Sequence, residues 1–311
     1  MITTSKKKYL FVLILFLVAC TKQAVIRPNT EAVQVRLTPG QVISQANNNE
    51  WRSLDPENTL YLTLNGGLVV IELMPLLAPG HVENTKALIR QGVFDGTSFY
   101  RVLDGFVAQG GPLYESVEQQ PPLASGQYNI PSEFTYTGDI SAVYTAFDAK
   151  DNFADETGFV DGFAVGKDLN SGENWLLHCY GVLAMGRSND LNSGGVALYI
   201  VNGPAQRYLD RNTTVFGRVI AGMEYVQALK RSANIDGPVD VTGMNIIHNI
   251  KVAADVPAED VLPLQVMDSR SASFKKLLEA RKNRTGDWFI YQHNYMDACG
   301  VPIPVRLYSG K

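Results

Sequence analysis

The stretch Ser98-Phe99-Tyr100-Arg101-Val102-Leu103-Asp104-Gly105-Phe106-Val107-Ala108-Gln109-Gly110-Gly111 decides the reading of this chain. Two short apolar runs flank Asp104-Gly105, a dipeptide that favours tight reversal, so the segment predicts two strands joined by a turn. Period-two alternation places Phe99, Arg101 and Leu103 on one face. An arginine between two apolar residues is the anomaly. A buried guanidinium without a partner is costly, so Arg101 requires a carboxylate on the sheet face or an open cleft. Gln109 adds a donor and an acceptor, and Phe106 a flat apolar surface. Such a set describes a shallow pocket with an apolar floor and a few polar groups. The spacing alone leaves both an ion-paired structural arginine and a functional one open.

Phe-Tyr-Arg-Val-Leu-Asp-Gly-Phe-Val-Ala-Gln-Gly-Gly, residues 99–111, resembles the signature of the cyclophilins, the peptidyl-prolyl cis-trans isomerases. The arginine, the phenylalanine five residues on, the glutamine three further and the closing glycine pair match in order. The resemblance continues through residues 58–252. Gly181-Val182-Leu183-Ala184-Met185-Gly186-Arg187 is similar to the family's second motif, with Gly186 and Arg187 in place of alanine and asparagine. Residues 194–201 resemble the third motif, where Leu198 and Tyr199 stand for two phenylalanines, a shift of one selects Ile200 instead, and Ala197 replaces a glutamine. Tyr208-Leu209-Asp210 and Val215-Phe216-Gly217-Arg218-Val219 resemble the stretch that follows, with Thr213 where the family has a histidine.

The resemblance implies a mainly β fold, a closed antiparallel barrel of about eight strands capped by two helices. To this are added an insertion at 112–175 and a C-terminal helical tail. It implies Arg101, Phe106 and Gln109 as catalytic residues, and Met185, Gly186, Tyr199, Tyr208 and Leu209 as substrate-binding ones. The implied partners are flexible protein segments containing proline. No metal or cofactor is needed for that chemistry. A rival reading is a binding module or chaperone that grips proline segments with little catalysis; Ala197, Thr213 and the weak third motif favour it. Tyr208 also stands where a tryptophan accompanies tight cyclosporin binding in the family, which implies poor inhibition by that cyclic peptide.

The N-terminus reads as an address. Lys6, Lys7 and Lys8 precede an apolar run over residues 9–19, too short to cross a bilayer but suited to a signal peptide. Leu17-Val18-Ala19-Cys20 resembles a bacterial lipobox, which implies cleavage after residue 19 and lipidation of Cys20. Thr21, rather than aspartate, then favours the outer membrane over the inner, with the protein facing the periplasm. Loss of residues 1–19 removes three of the 27 basic residues and none of the 31 acidic ones, changing the net charge from −4 to −7. An acidic chain argues against a nucleic-acid partner and against electrostatic adhesion to anionic lipid, so the anchor is covalent.

From that anchor the expected domains are a tether over 20–55, the isomerase domain over 56–255 and an extension over 256–311 that packs on the barrel. Thr38-Pro39 has the form of a helix start. Leu60, Leu62 and Leu64 lead into Asn65-Gly66-Gly67, a hairpin signal, and Pro79 opens a helix that Gly92 ends. In the insertion, residues 158–166 and 175–180 predict two strands paired across a turn near Asn170-Ser171-Gly172. Residues 222–231 predict a second helix with Val226 and Leu229 inward, and residues 242–252 a closing strand. Phe274, Leu277, Leu278 and Arg281 lie at helical spacing within 271–283, ahead of Gly286. The apolar Trp288-Phe289-Ile290-Tyr291 is expected to cover bare barrel surface.

Other chemistries find no pattern. The four histidines are dispersed, and neither His-x-x-x-His nor Cys-x-x-Cys occurs, so no zinc site is expected. The acidic residues between 148 and 173 lack calcium-loop spacing. His178 and Cys179 are adjacent, so on a strand they point to opposite faces and cannot form a nucleophile pair; His178 reads as a core histidine. Once Cys20 is lipidated, Cys179 and Cys299 are the remaining thiols, placed to staple the tail to the barrel in an oxidising compartment.

Overall fold

A computed structural model describes residues 36–114, 116–232, 244–284 and 288–308. The signal peptide, the lipobox with Cys20, Gly286 and the first two residues of the expected closing strand lie outside these. In chain order the regular elements are α1 (Pro39–Ser44), β1 (Trp51–Ser53), β2 (Thr59–Leu64), β3 (Gly67–Leu73), α2 (Pro79–Arg90), β4 (Ser98–Val102) and β5 (Val107–Gly111). Next come β6 (Tyr144–Phe147), β7 (Glu156–Val160), β8 (Phe163–Lys167), β9 (Asn174–Leu176), β10 (Val182–Met185), β11 (Leu198–Val201) and β12 (Val215–Ala221). The last are α3 (Met223–Gln227), β13 (Ile247–Val252), β14 (Leu264–Met267), α4 (Ala272–Lys282) and β15 (Val305–Leu307).

Eight strands form one antiparallel sheet in the order β13-β2-β3-β12-β10-β11-β5-β4. A bridge between Ser98 of β4 and Ile246, beside β13, brings its two edges together, so the sheet closes into a barrel. The alternating leucines drive this closure. Leu60, Leu62 and Leu64 of β2 meet Val69, Ile71 and Leu73 of β3 inside the barrel. The hairpin between them turns on Asn65-Gly66, with Leu64 opposite Gly67. Val82 and Leu88 of α2, and Val226 and Leu229 in and after α3, join the same core. Helix α3 is shorter than the sequence predicts, yet both of its expected inward residues are buried.

The insertion builds a second sheet, β6-β7-β8-β9. Here the expected single strand over 158–166 is corrected to a hairpin: β7 and β8 pair from Glu156↔Lys167 to Val160↔Phe163. Asp161-Gly162 makes the turn, with φ of 47° and 81°, values that suit a two-residue hairpin turn. The signal was in the sequence: Asp161-Gly162 is the same reversal dipeptide as Asp104-Gly105, here set between two apolar runs. Likewise 175–180 is extended only at its start, in β9. The pairing of β8 with β9 across the 168–173 turn is as expected.

This sheet is buried on both faces. Val160, Phe163, Val165 and Leu176 pack on the barrel's outer surface against Val107, Val182, Ala184, Tyr199 and Val215. Phe159, Trp175 and Leu177 face the other way, onto Val42 of α1, Trp51 of β1, Met267 of β14 and Phe274, Leu277 and Leu278 of α4. Two expectations change as a result. Residues 36–55 are not tether: Thr38 caps α1 reciprocally with Gln41, Val42 is buried, and β1 pairs with β14. An apolar face that short helices cannot bury alone is covered by docking on α4. The extension packs largely on the inserted sheet, with a smaller contact of Leu264 against Tyr61 and Val70 on the barrel. Trp288 and Ile290 cover nothing; they are 84% and 101% exposed. The tail is tied down instead by a disulfide between Cys179 and Cys299, with Cα atoms 4.9 Å apart.

Candidate active site

The site begins at the β4–β5 hairpin. Gly105 has φ of 69°, the left-handed conformation that glycine adopts without a Cβ clash. Arg101 lies opposite Gln109 in the register, which shifts between Ser98 and Arg101. That bulge corrects the expected alternation. Phe99 and Val102 both enter the barrel core, and Arg101 lies on the outer face, away from Phe99. It also brings consecutive side chains to one partner. The Arg101 guanidinium donates from Nη1 to Gln109 Oε1 at 3.3 Å, and the Tyr100 phenol, pushed up by burial, is eased back by its bond to Gln109. Arg101 Cζ stands 5.4 Å from the Phe106 ring centre, within cation–π range. Asn202 N–H donates to the Phe106 carbonyl at 2.8 Å, tying the turn to the end of β11.

Two neighbouring strands supply the floor. Tyr199 of β11 sits opposite Gln109 of β5, so both side chains share the outer face. Phe106 packs against the cluster that contains Tyr199. Ile200, the alternative in the third motif, points into the barrel core. Gly186 N–H donates to the Ala197 carbonyl at 2.6 Å. A Cβ at Gly186 would come within 2.9 Å of Gln109 Nε2, so Gly186 closes the far side of the glutamine. Met185 is not brought to the site. It is 1% exposed and packs with Leu183 inside the barrel, because β10 alternates and only Val182 and Ala184 face outward. Tyr208 and Leu209 follow on a short helical turn, Tyr208 exposed and Leu209 half-buried.

Beneath that turn runs a buried polar network built on His178. His178 Nδ1 lies 3.0 Å from Asp210 Oδ1, and its Nε2 lies 2.9 Å from both Tyr199 Oη and Thr213 Oγ1. Asp210 also accepts from the His178 backbone N–H at 2.9 Å and from Arg207 Nε at 2.6 Å. Arg207 extends the network to Asp151 at 2.7 Å. Burial pushes the Tyr199 phenol well above its ordinary range, against the Thr213 hydrogen bond. The signal for this network was present in the substitutions themselves. A buried tyrosine hydroxyl requires a partner, and the Tyr199 hydroxyl has two, Thr213 Oγ1 at 2.5 Å and His178 Nε2 at 2.9 Å.

Arg101, Phe106, Gln109, Gly186 and Tyr199 thus form a contiguous surface with a cation at one edge and an aromatic floor. It suits a ligand with an apolar ring beside a polar amide. A family model for cyclophilin type peptidyl-prolyl cis-trans isomerases matches residues 59–253. The probable peptidyl-prolyl cis-trans isomerase of Brucella suis biovar 1 is 30% identical over 184 residues, which cover 58% of this chain and 76% of that protein. Peptidyl-prolyl cis-trans isomerase B of Bacillus subtilis is 28% identical over 167 residues, 54% of this chain and 86% of its own. The crystal structure of cyclophilin AquaCyp293 from Hirschia baltica superposes with a TM-score of 0.68 and 28% identity, covering 88% of this chain and 98% of that one. That coverage exceeds the family-model match, so the likeness extends into the added segments.

Proposed function

This chain belongs to the cyclophilin-type peptidyl-prolyl cis-trans isomerases, and from that membership we propose that Arg101 drives the reaction on Xaa-Pro bonds of cell-envelope proteins. The obstacle is resonance. The prolyl nitrogen shares its lone pair with the carbonyl, and rotation costs about 20 kcal/mol, so the uncatalysed event takes tens of seconds. In the twisted transition state the lone pair is released and the nitrogen becomes a good acceptor. A donor aimed at that nitrogen therefore stabilises the transition state more than either ground state. A guanidinium carries its donors in a fixed plane, and Gln109 and Phe106 orient that plane in Arg101. Phe106, Tyr199 and Leu209 receive the proline ring, with Tyr208 at the rim and Gly186 leaving room beside Gln109.

The observation that carries this reading is the Arg101 guanidinium held between Gln109 Oε1 and the Phe106 ring. The test is a protease-coupled assay on a short Xaa-Pro peptide. Arg101→Ala should lower kcat/KM by roughly 100-fold, the scale of one preorganised donor, with an unchanged circular dichroism spectrum. Normal activity in that variant would refute the assigned role. The envelope location rests on two features read together: the lipobox-like Leu17-Val18-Ala19-Cys20 and the Cys179–Cys299 disulfide, a bond that persists in oxidising compartments.

A further inference from the structure

We propose that His178, two residues beyond β9 of the inserted sheet, is a positioning residue for the isomerase reaction, acting through the hydroxyl of Tyr199; this rests on the function proposed above. His178 is fully buried and, of the residues that form the Arg101 surface, it bonds only to Tyr199 among its recorded hydrogen-bond partners. Its reach is through one atom. In the neutral imidazole, Nδ1–H donates to Asp210, and Nε2 is left to accept. Tyr199 Oη and Thr213 Oγ1 lie 2.5 Å apart, and each is 2.9 Å from Nε2. Those three atoms share two hydroxyl protons, so one hydroxyl donates to Nε2 and the other donates to its fellow hydroxyl. The Tyr199 ring is thereby held at its far end as well as at its Cβ.

The other end of the network is equally constrained. Asp210 accepts from the His178 Nδ1–H, the His178 backbone N–H, Arg207 Nε and Trp175 Nε1, which hold the carboxylate in place. The His178 carbonyl accepts from Gln206 N–H at 2.8 Å. The next residue, Cys179, is covalently tied to Cys299. The imidazole therefore cannot follow Tyr199 if the ring tilts. The inserted sheet gains a role in the site: the segment that follows β9 delivers a second partner, beside Thr213, to the hydroxyl that fixes the floor of the proline pocket.

Steady-state kinetics on an Xaa-Pro peptide across wild type, His178→Ala, His178→Gln, Tyr199→Phe and the His178→Ala/Tyr199→Phe double variant test this. His178→Ala should lower kcat/KM about tenfold, mainly through a raised KM, as expected for one lost buried hydrogen bond. His178→Gln, which keeps a side-chain acceptor and donor, should recover most of it. In the Tyr199→Phe background, removing the imidazole should cost little, because the hydroxyl it acts through is gone. Ring-flip broadening of the Tyr199 resonances should change from slow to fast exchange in His178→Ala. Equal losses in both backgrounds, or an unchanged flip rate, would overturn the inference while leaving the isomerase reading intact. An inactive wild type, or full activity in Arg101→Ala, would overturn the proposed function first and this inference with it.

Discussion

Tyr208 stands 60% exposed on the turn that rims the pocket. Its donor lies at the far end of the ring, whereas a tryptophan there would present an indole N–H nearer the groove. Ala197 and Thr213 remove two further polar contacts. Each lost hydrogen bond costs about 1 kcal/mol, so two or three weaken affinity roughly a hundredfold. Cyclosporin should therefore inhibit this isomerase poorly, and Tyr208→Trp should recover part of the sensitivity in an inhibition titration. Nanomolar inhibition of the unmodified protein would contradict the role given to Tyr208. At this scale the sequence was most legible where neighbours in space are neighbours along a hairpin. Arg101, Phe106 and Gln109 meet because a tight turn leaves them no alternative. Met185 shows the opposite. Its motif was recognisable, but which face of β10 it occupies depends on the strands beside it.

Between barrel and insertion, the β7–β8 turn is the element most tightly held. Arg218 of β12 and Arg52 of β1 both pair with Glu72 of β3, at 2.9 and 2.5 Å, and both donate to carbonyls of Asp161 or Gly162. A Cβ at Gly162 would lie 2.8 Å from Arg218 Nη2, at φ of 81°. Gly162→Ala should cost about 2 kcal/mol or more in urea unfolding, from backbone strain and displacement of a buried, paired guanidinium. The disulfide acts at longer range. It joins positions 120 residues apart, so replacing both cysteines with alanine should lower stability by about 2–5 kcal/mol in the same measurement. No change would mean that the tail stays docked through Phe274, Leu277 and Leu278 alone. Elements were legible where start and stop signals agree, as in α2, which Pro79 opens and Gly92, at φ of 69°, follows. The 158–166 hairpin was not read although Asp161-Gly162 marks its turn, because its strands, packed on both faces, lack the polar alternation that delimits a half-buried strand.

For the molecule as a whole, two partly buried carboxylates, Asp151 and Glu133, set the acid limit. Burial tends to raise Asp151 and Glu133, but Arg207 holds Asp151, and His81 with the first N–H groups of α2 holds Glu133, below the ordinary carboxylate range. A depressed folded value adds stability above the unfolded one, and that stability is lost as pH falls through the folded value. The urea midpoint should thus be level near neutrality and fall below about pH 4, with a shallower fall in Asp151→Asn. A midpoint that rises on acidification would contradict this. The address is tested separately: Cys20→Ala should move the protein out of the salt-washed membrane fraction, and retention there would refute the lipobox reading. By itself the sequence determined the β2–β3 hairpin, the start of α2 and the hairpin that carries Arg101, because these follow from alternation, turn residues and contacts close along the chain; the closed barrel was what the resemblance of its motifs implied. Only the tertiary structure decided that residues 36–55 belong to the fold, that Met185 turns inward, and that His178 reaches Tyr199. Each of these depends on which buried face lies opposite, and a segment's own residues do not encode its partner's position.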